Sequence, residues 1–132
     1  MLECHKDEWV VFSIDEQKSV LYAIWHDDGT LTAQKYKEQL KIAKAIVQQY
    51  KPTKSINDAR KFSLSISPAL QTWIGENIFQ KKGEEIIKKY AFVVANSIFA
   101  QISLEQMMEE SERTDVSQYF DDIEAAKLWL DI

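Results

Sequence analysis

The hydrophobic pattern of this chain changes period between Trp25 and Tyr36, and that change requires strands and helices in one fold. WVVFSI (9–14) and SVLYAIW (19–25) are short, apolar, β-branched runs that read as strands. In the second run Val20, Tyr22 and Ile24 alternate with Leu21, Ala23 and Trp25, so both faces are apolar, as in an interior strand. Asp15, Glu16 and Gln17 form a short polar turn, which makes the pair an antiparallel hairpin. HDDGT (26–30) is a turn signal. Beyond it Tyr36, Leu40, Ala43, Val47 and Tyr50 recur at steps of four and three, one stripe of a helix from about residue 31 to 49. Thr30 is the expected cap, and Lys37, Lys41 and Lys44 share another face. Pro52 enforces the break.

Alternation of strand and helix continues to the end. SINDA (55–59) predicts a short strand. Ser67-Pro68 predicts a helix start, with serine as N-cap and proline at the first helical position. Leu70, Trp73, Ile74 and Ile78 supply the apolar side of this second helix, and Gly83 is its expected end. Within IIKKYAFVVAN (86–96), AFVVA has the continuous apolar character of a central strand. Ser103 and Gln106 have capping-box spacing, so a third helix is expected from about Leu104. VSQYF (116–120) reads as the last strand. Asp121 and Glu124 open a final helix carrying Ala125, Leu128 and Trp129. The expected fold class is α/β: a single domain over residues 1–132, a mixed β-sheet in the order ββαβαβαβα, with helices packed on the sheet.

A length of 132 residues suits one core. No apolar run approaches the roughly 18 residues of a membrane span. MLECHKDEWVVF carries charges where a signal peptide needs apolar residues, so the expectation is a cytoplasmic protein. Cys4 is the one cysteine, which excludes an intrachain disulfide and a cysteine metal cluster. The net charge of −5 is unevenly spread: residues 105–132 hold nine acids and two bases, a balance of −7. An acidic end of this kind repels nucleic-acid backbones, so no nucleic-acid partner is expected.

The strand closing in Asp58-Ala59-Arg60, the helix start Ser67-Pro68, the strand AFVVAN and the closing segment YFDDIEAAKLWL (119–130) together resemble the SpoIIAA-like family of the STAS/SpoIIAA fold group. The resemblance runs from about Trp9 to Leu130. It implies a small α/β domain that binds partners or ligands without catalysis of its own. Relatives that act as anti-sigma factor antagonists carry an Asp-Ser-Ser-Gly motif whose serine accepts phosphate. Here the matching stretch reads Asp58-Ala59-Arg60-Lys61, and KFSLSIS (61–67) intervenes before the helix. The phosphoswitch motif is therefore not intact.

The loop from Asp58 to Ser67 is the candidate ligand- or partner-binding site. Ligands of open α/β sheets lie beyond the carboxyl ends of parallel strands, and a helix N-terminus offers free N–H groups to an anion. Arg60 and Lys61 would add positive charge, and Ser63, Ser65 and Ser67 hydroxyls. The simpler alternative is that Asp58 satisfies loop donors, Arg60 pairs with an acid and Ser67 only caps its helix. His26-Asp27-Asp28 lacks the converging ligands a metal needs. His5 and Cys4 fall in an N-terminus expected to be mobile. No catalytic, cofactor or metal motif is present. Trp9, Trp25, Trp73 and Trp129 read as core, with interface anchors as the alternative. Phe99, Ile102, Met107 and Met108 are core or a partner surface.

Three functions follow as expectations. The first is a non-enzymatic STAS-like regulatory or protein-interaction domain, acting as a homodimer or on a regulatory partner. The second is a small apolar-ligand or lipid-binding domain similar to carriers of the CRAL-TRIO type. Such a carrier has a mostly apolar pocket of hundreds of Å3 between helices and sheet. The third and weakest is an enzyme built on Asp58, Arg60 and a loop serine, with no histidine placed as base.

Overall fold

Among the described residues, six strands form one sheet in strict chain order, and the switch from antiparallel to parallel pairing falls at the third. The computed structural model describes residues 1–81, 83–95 and 116–132. Strands β1 (Leu2–Lys6), β2 (Val10–Asp15) and β3 (Val20–Trp25) make an antiparallel meander. From β3 onward β4 (Lys54–Ala59), β5 (Lys89–Val94) and β6 (Ser117–Phe120) are parallel. Helix α1 (Ala33–Tyr50) connects β3 to β4, and α2 (Pro68–Asn77) lies between β4 and β5. Helix α3 (Ile123–Leu130) closes the chain.

The α/β class and the mixed sheet are as the sequence implies, but the order differs at the start. The opening hairpin is preceded by β1, so the N-terminus is an edge strand and not a mobile tail. His5 Nε2 bonds the Asp7 carboxylate at 2.9 Å and Gln39 Oε1 at 3.1 Å, which ties β1 to α1. The third helix expected near Leu104 lies outside the described residues, as do Phe99, Ile102, Met107 and Met108.

Capping sorts out the helix ends. Thr32, not Thr30, caps α1 by accepting the Lys35 N–H. Thr30 is occupied elsewhere, accepting from the Trp9 indole and donating to Asp28. Ser67 caps α2 through the Leu70 N–H, with Pro68 first in the helix. That helix ends at Asn77, well short of Gly83, which sits at positive φ in the following loop. Asp122, one residue beyond the expected Asp121, caps α3 through the Ala125 N–H.

Side-chain alternation divides the core between two faces. On one face Phe12, Ala23, Trp25 and Phe92 pack with Tyr36 and Ile46 of α1 and Leu70 and Ile74 of α2. On the other, Val20, Tyr22, Ile56, Ala91 and Val93 pack with Ala126 and Leu130 of α3. Residues 91–94 of β5 are buried on both faces, which explains the unbroken apolar run AFVV.

Candidate functional site

Strand β4 runs through the middle of the sheet, and its alternation sends different chemistry to each side. Ile56 is fully buried against the α3 side. Asp58 has the same parity and is 7% exposed. Its carboxylate receives three bonds from Arg60: Nε to Oδ1 at 2.9 Å, Nη2 to Oδ2 at 2.7 Å and the backbone N–H to Oδ1 at 3.2 Å. Burial works against the charge of Asp58, but the Arg60 bonds, helped by the field of Arg60 and Lys61, hold its carboxyl below the ordinary value. The bond to Asp58 in turn raises the Arg60 guanidinium, with Asp122 adding to the effect.

The rest of the sequence-derived loop is spread along an extended segment. Phe62, Leu64 and Ile66 turn inward, and Ser63, Ser65 and Ser67 alternate outward with them. Phe62 fixes the segment by ring contacts with Trp25 and Tyr36, centroids 5.3 and 5.1 Å away. Ser63 donates to Asp27 Oδ2 at 2.9 Å, Lys61 accepts the Asp27 N–H through its carbonyl, and Ser67 serves as the cap of α2. Ser65 and the Lys61 side chain face outward. Asp58 and Arg60 thus come together, whereas the three serines do not converge with them on one point. Asp27 and Asp28 hold their own turn through Gly29 and Thr30, and among the described residues no group of three or more His, Cys, Asp or Glu is placed to hold a metal.

The opposite face of β4 borders a cavity of about 420 Å3 between the sheet, α1 and the end of α2. Its floor is Phe12, Leu21, Ala23, Trp25 and Phe92, with Ser55 and Asn57 of β4 set among them. Its roof is the α1 stripe of Tyr36, Leu40, Ala43 and Val47. Burial raises the Tyr36 phenol, which stays neutral against this apolar wall. The stripe that predicts the helix therefore faces a partly unfilled space.

Three lysines on α1 hold α2 across the opening. Lys37 and Lys41 lie over the Trp73 ring at 5.1 and 5.8 Å. Lys44 Nζ donates to the Asn77 carbonyl at 2.7 Å, a cation at a helix C-terminus. The far wall is the loop after α2, pinned by Gln80. Its Oε1 accepts the Ile86 and Ile87 N–H groups at 2.6 and 3.0 Å, and its Nε2 donates to the Ile87 carbonyl and the Tyr90 hydroxyl. The sequence-derived site did not include Gln80, Ser55 or Asn57. For Ser55 and Asn57 the available signal was polar residues at alternate positions of β4; Gln80, in the loop after α2, carried no such pattern.

Set against protein-family models, curated proteins and solved structures, the chain matches none. No helix among the described residues is long and apolar enough to cross a membrane.

Proposed function

We propose that this chain is a binding domain that takes an apolar or amphipathic small molecule into the cavity between α1, α2 and the sheet, without chemistry of its own. The observation that carries this reading is the cavity: about 420 Å3, with an apolar floor, an apolar helical roof and two polar side chains set into the floor. That size and lining suit small-molecule sites in general. The resemblance to the SpoIIAA-like group, and through it to CRAL-TRIO-type carriers, points the same way. The loop residues Asp58, Arg60, Lys61, Ser63, Ser65 and Ser67 then shape the neighbouring edge of the sheet.

Native mass spectrometry of protein isolated from its own host tests the proposal, alongside Ala43→Phe. Ala43 lies in the roof, and a phenyl ring there fills the space a ligand would take. The expected result is a noncovalent added mass on the wild type and none on the variant. A bare wild-type chain, or equal loading of both, contradicts the proposal.

A second reading, a STAS-like interaction domain acting as a homodimer or on a regulatory partner, draws on exposed apolar side chains away from the cavity. Leu128 of α3 is 80% exposed and Ile24 of β3 is 41% exposed. A bare dimer in the same spectrum supports that reading over the first.

A further inference from the structure

Among the buried and half-buried carboxamides of the described residues, Asn57 stands apart. Gln39 bonds His5, Gln71 donates to the Ile66 carbonyl, and Gln80 makes four hydrogen bonds. Asn57 lines the cavity, and its Oδ1 is buried with no hydrogen-bond partner. An orphaned acceptor of this kind costs stability, and asparagine is a poor strand residue. The register neighbours of Asn57 on β3 and β5 are Ala23 and Phe92, and Ile74 of α2 lines the same space, so an apolar side chain would suit the site. Two residues earlier on the same face, Ser55 presents a hydroxyl from a position only 6% exposed.

We infer that the ligand carries a neutral hydroxyl at the end buried in the cavity, donating to Asn57 with Ser55 beside it, so that the site takes hydroxylated amphiphiles in preference to plain hydrocarbons or their ethers. The inference rests on the ligand-binding reading above and specifies which molecules satisfy it. A hydroxyl both donates and accepts, so it can use the Asn57 carbonyl and the Ser55 hydroxyl together. The Asn57 Oδ1 has almost no accessible surface in this structure, so the carboxamide must turn about its Cβ–Cγ bond to present its carbonyl to the ligand hydroxyl. The buried end is neutral because the charged lining residues Lys44, Glu76, Lys81 and Glu84 are all exposed, at the rim and not the floor. A charge on the floor would be desolvated with no ion opposite it. The apolar body lies along the aromatic side of the floor, where Tyr90 and Phe92 stack at 10° between ring planes.

A matched pair of probes tests this. 4-Hexylphenol and 4-hexylanisole have nearly the same shape, and only the phenol has a donor. Trp25 lines the cavity, so its fluorescence reports binding. The expected result is that the phenol binds wild-type protein about tenfold more tightly than the anisole, and that Asn57→Leu reduces the ratio to about twofold or less while retaining the anisole. Equal affinities in the wild type overturn the hydroxyl inference and leave the cavity reading standing. Failure of both probes to bind the wild type overturns both. An Asn57→Leu chain that does not fold makes Asn57 a structural residue, which also overturns the inference.

Discussion

On β4 Ile56, which faces α3, differs in its surroundings from Ser55 and Asn57, which face α1 and α2. Ile56, on the first side, is fully buried among Val20, Tyr22, Ala91 and Val93 and the α3 residues Ala126 and Leu130. Ser55 and Asn57, on the second, border a hollow, and one of them has an orphaned oxygen. The strand and backbone hydrogen bonds are the same, so the difference lies in what each face is packed against. One face gains its stability from close apolar contact. The other gives up part of that gain, and its rim is tied together by lysines of α1 on the Trp73 ring, a lysine on the end of α2 and a loop pinned by one glutamine. Under the ligand-binding proposal, the hollow on this face is the space kept for the ligand.

The contrast is broken most forcefully on the packed side. Ile56→Ala leaves a void in a closed cluster and is expected to cost about 2–5 kcal/mol in urea unfolding, with the probe preference of the cavity unchanged. Arg60→Ala comes next. It leaves the Asp58 carboxylate with much less compensation for burial, and because Arg60 is itself substantially exposed the expected loss is about 1–2 kcal/mol at neutral pH. Its pH dependence has a definite sign. The Asp58 carboxyl is lowered in the folded state, so its contribution is fully present above the unfolded-state value and is lost as pH falls through the folded-state value. Urea midpoints of wild type and Arg60→Ala should therefore converge in acid and separate towards neutrality.

On the hollow side, smaller stability changes go with larger binding changes. Gln80→Leu frees the Ile86 and Ile87 N–H groups and the Tyr90 hydroxyl from their shared partner. The expected cost is about 1 kcal/mol, with faster amide exchange at residues 86 and 87 and weaker probe binding. Lys44→Ala removes a single surface bond to the end of α2 and should cost only about 0.3–1 kcal/mol in the same assay.

Much of this division was legible in the residues, but not the hollow. Strands β2 to β5, the Ser67-Pro68 helix start and the class of fold follow from period, capping and proline placement. Strand β1 escaped because Glu3, His5 and Lys6 give an edge strand no apolar alternation, and its pairing is mostly a backbone matter. The helix ends were misplaced by a residue or more where several cap-forming side chains compete, as Thr30 and Thr32 do, and only the folded contacts decide between them. The stripe Tyr36, Leu40, Ala43 and Val47 reads the same whether it meets a filled core or a cavity, since period reports direction and not distance. SINDA contained the decisive contrast of Ile56 with Ser55 and Asn57. The charged pair at the end of the strand, Asp58 and Arg60, carried the sequence-derived site assignment, and the fold engages these two groups with each other.

The most direct test of the division between the faces is the melting temperature of unliganded Asn57→Leu beside wild type and Ile56→Ala. If Asn57 is kept for a ligand, replacing its carboxamide, whose oxygen is orphaned, with a side chain of similar size leaves the melting temperature at or above that of wild type, while Ile56→Ala falls well below. A fall in Asn57→Leu as large as that in Ile56→Ala would mean that both faces of β4 serve the fold alone, and would contradict the account.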